Sequence, residues 1–396
     1  MADPEPTKTE FSHQLWHDLQ WRAVSAAFVI NGFLLGAWAS RVPAFKEQFE
    51  LQPGALGLLL LALAAGAIVS FPFAGLLSER WGAERLTHVV TWGYAPALVL
   101  LPLSPSVWFL GITLFVFGAL HGAMDVAMNG WGTEVERRLN KNILSIFHAM
   151  FSLGTGLGAA TGFVAAFVEL GPLSHFCIAA VVSFIMMFVF LQPIRTANRS
   201  IDNGASAASA KTLVALPSGP LFLIGLIAFS TSMGEGAMVD WSATFLREVT
   251  KVSEANATLG FVAFSATMVV TRLSGGLIVQ KLGPVTTTRI SGAIAFVGLC
   301  VVIIAEQLAT ALVGFALVGV GFAVVMPLVF SRAANDSTMR PGPAIASVAT
   351  LGYGGLLLGP PIVGFIAQFT RLEVSFAALA VLAVLMVLLS SNLKPE

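Results

Sequence analysis

The sequence predicts an all-α integral membrane protein of twelve transmembrane helices, arranged as two pseudo-symmetric six-helix bundles. Three observations predict it. The chain is 56% hydrophobic and only 11% charged, with a mean hydropathy of +0.85, whereas soluble domains carry about 25% charged residues. Its apolar residues fall into twelve runs, each near the ~20 residues that a spanning helix needs. Finally, the stretch from Gly75 to Gly82 (Gly-Leu-Leu-Ser-Glu-Arg-Trp-Gly) recurs 201 positions later, from Gly276 to Gly283 (Gly-Leu-Ile-Val-Gln-Lys-Leu-Gly). Both copies lie where a long apolar run meets a short charged turn, so the chain is read as two similar halves.

The elements follow in order. Residues 1–22 form a polar N-terminal segment with Lys8, His13 and His17. It lacks the basic stretch and small-residue cleavage site of a signal peptide, so the first apolar run is expected to stay in the protein. The predicted spans are 23–41, 54–77, 86–103, 106–128, 144–168, 173–192, 220–243, 256–278, 286–305, 309–330, 343–368 and 374–391. None alternates with period two, and open sheets cannot span lipid, so strands are excluded. Residues 193–219, with the small polar run from Asp202 to Ser209, read as a flexible cytoplasmic linker. It separates an N-terminal bundle, 23–192, from a C-terminal bundle, 220–396. Gly118 matches Gly319, and Gly36-Ala37 matches Gly236-Ala237, at offsets of 201 and 200.

Basic residues orient the spans, because Lys and Arg collect in cytoplasmic connections. With the N-terminus inside, 15 of the 21 Lys and Arg fall on the inner side, among them Lys8, Arg80, Arg137, Arg195, Lys281 and Lys394. Five fall outside (Arg41, Lys46, Arg247, Lys251 and Arg371), and Arg272 lies inside the eighth span. Both termini are therefore expected in the cytoplasm, with the chain in a plasma membrane of the bacterial inner-membrane type.

Several function classes recede. Lys+Arg and Asp+Glu are both 21, so no basic field exists for nucleic acid. Cys177 and Cys300 lie in apolar runs and form neither a disulfide framework nor zinc spacing. Gly154-Thr155-Gly156-Leu157-Gly158 loosely matches a dinucleotide fingerprint, but no strand precedes it. Gly154, Gly158 and Gly162 are spaced as close helix packing requires. No Gly-Lys-Ser/Thr phosphate loop occurs, so ATP is not the expected energy source. No nucleophile–base pair or metal trio appears; neither an enzyme nor a cofactor or metal site is expected.

Ionisable residues inside spans cost about 2.5–3.5 kcal/mol at the bilayer centre and persist where they face a cavity or a partner. His121, Asp125 and Asn129 are spaced by four and fall within about 80° of one another on the fourth span. This stripe suits a cavity wall that binds a hydroxylated solute and carries a proton; a ladder that merely joins helices is the plainer reading. Glu235, between Gly234 and Gly236, is expected near the outer third of the seventh span, at a helix that bends or unwinds at a gate. It is a candidate for proton coupling or solute binding. Asp240 lies about 140° further round the helix and reads as an outer gate. Trp241 is a candidate solute platform or interfacial anchor. Arg272 either snorkels to the inner surface or pairs with an acid such as Asp125. Asn31, in mid-helix, and His148, on a face with Phe147, Phe151 and Ser152, are further candidate cavity residues.

Residues 75–85 resemble the signature loop between helices 2 and 3 of the major facilitator superfamily, Gly-x-x-x-Asp-Arg-x-Gly followed by a basic residue. Glu79 stands for the usual Asp, while Gly75, Arg80, Gly82 and Arg85 stand in place. The second copy is weaker, with Gln280 for the acid. The resemblance implies a latch on the inner side when the central cavity opens outward. The run from Gly122 to Asn129 is similar to the fourth helix of fucose permease-like proton/sugar symporters, where an acid precedes Asn by four residues. Thr271 to Gly276 resembles the Arg-containing eighth helix of that group. Glu235 to Ser242 resembles a subgroup that includes a rhizopine-locus membrane protein. The expected function is thus proton-coupled symport of a small polar, sugar-like solute by rocking of two halves, in a monomer. A proton antiporter or exporter of amphipathic compounds is an alternative, and a non-transporting sensor or assembly partner is another.

Overall fold

The computed structural model describes residues 18–139, 143–191, 219–337, 339 and 341–394. Most of the N-terminal segment and all of the linker except Gly219 lie outside them, as do Lys8, Lys141, Arg195, Arg199, Lys211 and Arg340. Among the described residues the regular structure is helical throughout. The helices are α1 (Leu19–Gln48), α2 (Pro53–Trp81), α3 (Ala83–Leu100), α4 (Val107–Leu139), α5 (Leu144–Phe167) and α6 (Pro172–Met186) in the first half. The second half has α7 (Pro220–Glu248), α8 (Glu254–Ile303), α9 (Leu308–Phe322), α10 (Val325–Ala334), α11 (Pro341–Phe369) and α12 (Leu372–Leu389).

Eleven helical segments are long and apolar enough to cross a membrane among the described residues. One of them, α8, has 50 residues, far more than the ~20 that one crossing needs. It reverses at Gly283, whose φ of 75° and ψ of 164° are not helical, with Pro284 next. Its two legs are therefore separate spans, which makes twelve. The tenth span is broken in turn, between α9 and α10.

Local chemistry explains the ends. Asp18 Oδ1 accepts from the Trp21 N–H at 2.8 Å and caps α1, so the first helix opens at Leu19 rather than at 23. Pro53, Pro172 and Pro220 sit at the first turn of their helices, where a fixed φ costs nothing. Gly82 closes α2 with φ 87°, a left-handed conformation that suits glycine. Its repeat equivalent, Gly283, does the same between the legs of α8.

The halves pack alike. α1 lies on α5 and α2 on α4; α7 lies on α11 and the first leg of α8 on α9. A Cβ at Gly118 would collide with the Leu63 carbonyl oxygen, and one at Gly319 with that of Phe264. These paired glycines let backbones touch where lipid supplies no hydrophobic drive. Between the halves, α2 meets α11 and α5 meets the first leg of α8, a pseudo-two-fold arrangement.

Candidate functional site

Six helices supply polar side chains to the middle of the molecule. On α4, His121, Asp125 and Asn129 are half-buried and Thr133, one turn on, is exposed. Asn129 Nδ2 donates to Asp125 Oδ1 at 3.1 Å and to the Asp125 carbonyl at 2.9 Å. The Asp125 carboxylate has no ion pair with a basic residue among the described residues. His121 is turned elsewhere: its Nδ1 shares a 3.0 Å hydrogen bond with the Tyr94 hydroxyl on α3. The stripe expected from the spacing is therefore split. Asp125 and Asn129 act together, and no hydrogen bond joins His121 to Asp125.

Arg272, on the first leg of α8, is the hub of the second half. Its Nη2 donates to both carboxylate oxygens of Glu235, at 3.0 and 3.2 Å. Nη1 donates to Ser152 Oγ of α5 at 2.7 Å, and Nε to the Ala323 carbonyl at 3.1 Å. Ala323 lies in the break between α9 and α10, where an interrupted helix leaves carbonyls without their usual donors. A planar guanidinium can serve all three acceptors at once, which an ammonium cannot. Arg272 neither snorkels nor meets Asp125; its acid is Glu235. Glu235 lies near the midpoint of the 29-residue α7, not in its outer third. The helix does not unwind there: Gly234 is a packing position under the Phe322 ring.

His148 is exposed, one turn before Ser152, with its ring edge-on to Phe28 at 5.5 Å. Ser152 Oγ donates to the His148 carbonyl at 3.2 Å, so the two residues share one face of α5. Tyr353 of α11 is also exposed; it packs on Phe71 of α2 at 5.1 Å and lies within electrostatic reach of Asp125.

Two expected cavity residues lie in packing instead. Asn31 is fully buried, with Nδ2 against Met128 Sδ at 3.6 Å, between α1 and α4. Trp241 is also fully buried, with its ring beside Gly364. Asp240 is half-buried and forms no ion pair or side-chain hydrogen bond among the described residues. Glu79, Arg80 and Arg85 are exposed, and Glu79 and Arg80 form no ion pair among the described residues. A Cβ at Gly75 would meet nothing within 4 Å, so the loop stands clear.

Sequence reasoning missed three features. Tyr94 and Tyr353 are the chain's 2 tyrosines, and both sit at this centre; their rarity was the available signal. The Ala323 carbonyl had one too, in Pro327, which lies four residues on and offers no N–H. The third feature is a set of ion pairs joining the halves on the face that the basic bias places outside. Arg41 Nη1 is 2.9 Å from Glu254, Lys46 binds Glu248, and Arg247 is 2.7 Å from Glu47.

Twelve helices in two like halves, with a charged and hydroxylated centre between them, define a membrane transporter. The chain belongs to the Major Facilitator Superfamily, whose family model matches residues 23–341. It is 40% identical over 375 residues to the uncharacterized transporter y4wD of Sinorhizobium fredii, covering 94% of this chain and 98% of that one. It is 31% identical to the membrane protein MosC of Rhizobium meliloti, over 87% of this chain and 83% of that one. Among solved structures, the nucleoside transporter NupG superposes with a TM-score of 0.73 at 13% identity, covering 96% of this chain and all of that one; this likeness is one of fold.

Proposed function

We propose that this transporter is a proton-coupled symporter of a small polar, sugar-like solute, working by alternating access in the inner membrane with both termini cytoplasmic. The observation that carries the reading is the contrast between two intramembrane acids. Glu235 is gripped by Arg272, whereas among the described residues the Asp125 carboxylate has only the amide of Asn129 on it. A proton arriving at Glu235 must displace a guanidinium. One arriving at Asp125 breaks no ion pair, so Asp125 is the better site for a proton that loads and leaves each cycle. Solute hydroxyls would find both donors and acceptors in the two clusters. Asn129, His148 and Arg272 can donate; Ser152 and Glu235 can accept.

The test follows solute and proton flux in proteoliposomes. Asp125→Asn should abolish uphill accumulation and leave energy-independent solute exchange largely intact. Glu235→Gln should weaken solute binding instead. Undiminished solute-driven proton uptake in Asp125→Asn would remove Asp125 from the mechanism. Loss of that uptake only in Glu235→Gln would reverse the two roles. The solute itself is to be sought by thermal-shift screening of sugars, polyols and amino acids on the purified protein.

A further inference from the structure

Two ion pairs between the ends of α1 and α7 exchange partners across the internal repeat. Lys46 and Glu47 lie in the last turn of α1, and Arg247 and Glu248 in the last turn of α7. The two dipeptides are 201 positions apart, the offset that relates Gly75 to Gly276. Lys46 is thus the equivalent of Arg247, and Glu47 of Glu248. Lys46 binds Glu248, and Arg247 Nε donates to Glu47 Oε1 at 2.7 Å. Each half offers a base followed by an acid and receives the same sequence running the other way. This is the contact pattern of a two-fold axis, where residue i touches j and j touches i, written into a single chain.

The surrounding backbone obeys the same symmetry. Glu50 and Lys251, also 201 apart, both adopt left-handed conformations, with φ of 51° and 56°. Non-glycine residues seldom do so. Both line one cavity of about 590 Å³ with Pro43 and Thr244, a further equivalent pair, and with the four paired residues. The third cross-half pair, Arg41–Glu254, lacks this reciprocity, because Ser242 occupies the position equivalent to Arg41.

We propose that Lys46–Glu248 and Glu47–Arg247 form a reciprocal outer gate that must part in both pairs before the outer mouth opens. Because both pairs join the same two helix ends, rocking one half against the other lengthens both together, whereas a rotamer change in one side chain releases only one. Partly exposed pairs are individually weak, each shifting a population about fivefold at most, so the gate opens under a modest bias. It takes the outer-gate role that sequence reasoning gave to Asp240. The proposal rests on the alternating-access part of the reading above and on neither the proton nor the solute.

Spin labels at Glu169→Cys, on the turn after α5, and Glu306→Cys, between α8 and α9, report the outer mouth. They are placed in full-length protein in which Cys177→Ala and Cys300→Ala remove the native thiols. Distances are measured without solute at fixed pH, so a failure of proton coupling leaves the result intact. Lys46→Glu alone, or Glu248→Lys alone, should raise the ratio of open to closed distances about fivefold; the two together should return it to the starting value. If neither single reversal yields folded protein, Glu47→Arg and Arg247→Glu provide the same cycle. Single reversals that leave the closed distance untouched, or a double reversal that opens as far as the singles combined, would overturn the gate.

Discussion

Arg272 grips Glu235 of its own half with two hydrogen bonds from one nitrogen, at 3.0 and 3.2 Å, while its other terminal nitrogen reaches Ser152 of the opposite half at 2.7 Å. One side chain thus fixes an acid and bridges the two bodies that must move. Arg272→Lys keeps the charge but cannot serve both partners and the Ala323 carbonyl. Hydrogen bonds to charged groups are worth about 1.5–3 kcal/mol, so solute affinity should fall at least about tenfold. Affinity would be read by titrating a solute that raises the melting temperature of the wild type. Unchanged affinity in Arg272→Lys would show that the fork geometry is dispensable.

Glu79 and Arg80 should act in the other half of the cycle. Both are exposed in this structure, where the ion pairs lie on the face that the basic bias places outside. Glu79→Gln should therefore leave this arrangement intact and depopulate the outward-open state, slowing transport and altering affinity only through that shift. Distances across the inner mouth that do not respond to the substitution would rule the latch out.

Topology is tested directly. The 15-to-5 distribution of basic residues predicts that a reporter fused after Glu396 is cytoplasmic, as is one inserted near Ser206. An extracytoplasmic signal at either place would end the twelve-span reading.

The paired glycines give a stability prediction. Gly118→Val drives a side chain into the Leu63 carbonyl, and Gly319→Val into that of Phe264. Each should destabilise its half by about 1–3 kcal/mol, the usual cost of overpacking, seen as a lower melting temperature in detergent. Gly276→Val meets no neighbour within 4 Å and should leave that temperature nearly unchanged.

The spans were legible because length and apolarity suffice to mark a lipid crossing. The reversal at Gly283 was legible because it copies Gly82. The break at Ala323 was overlooked: Gly319 and Gly321 look like ordinary packing glycines, but Pro327 removes the N–H that the Ala323 carbonyl would use in a continuous helix. In the site, helix counting ranks residues along an axis but does not say how helices turn toward one another. Asp125 and Asn129 emerged correctly as neighbours because both lie on one helix. The partner of Arg272 did not, because Glu235 lies on another. The burial of Asn31 and Trp241 was not legible for a related reason: a polar or amphipathic side chain in a span can face a packed interior as readily as an opening. Lys46 and Arg247 were counted only as orienting charges, since their acids become partners only when the two halves meet.

The hydrogen bond from Arg272 Nε to the Ala323 carbonyl has a mechanical consequence. The interruption of the tenth span is propped by a side chain from a neighbouring helix. Winding the joint into continuous helix could not replace that bond, because the residue four on is Pro327, which has no N–H to offer and whose ring would crowd the same carbonyl. The bend between the 15 residues of α9 and the 10 of α10 is therefore permanent, and a guanidinium that let go of Glu235 would leave the Ala323 carbonyl bare, a hydrogen-bond acceptor held open in mid-span.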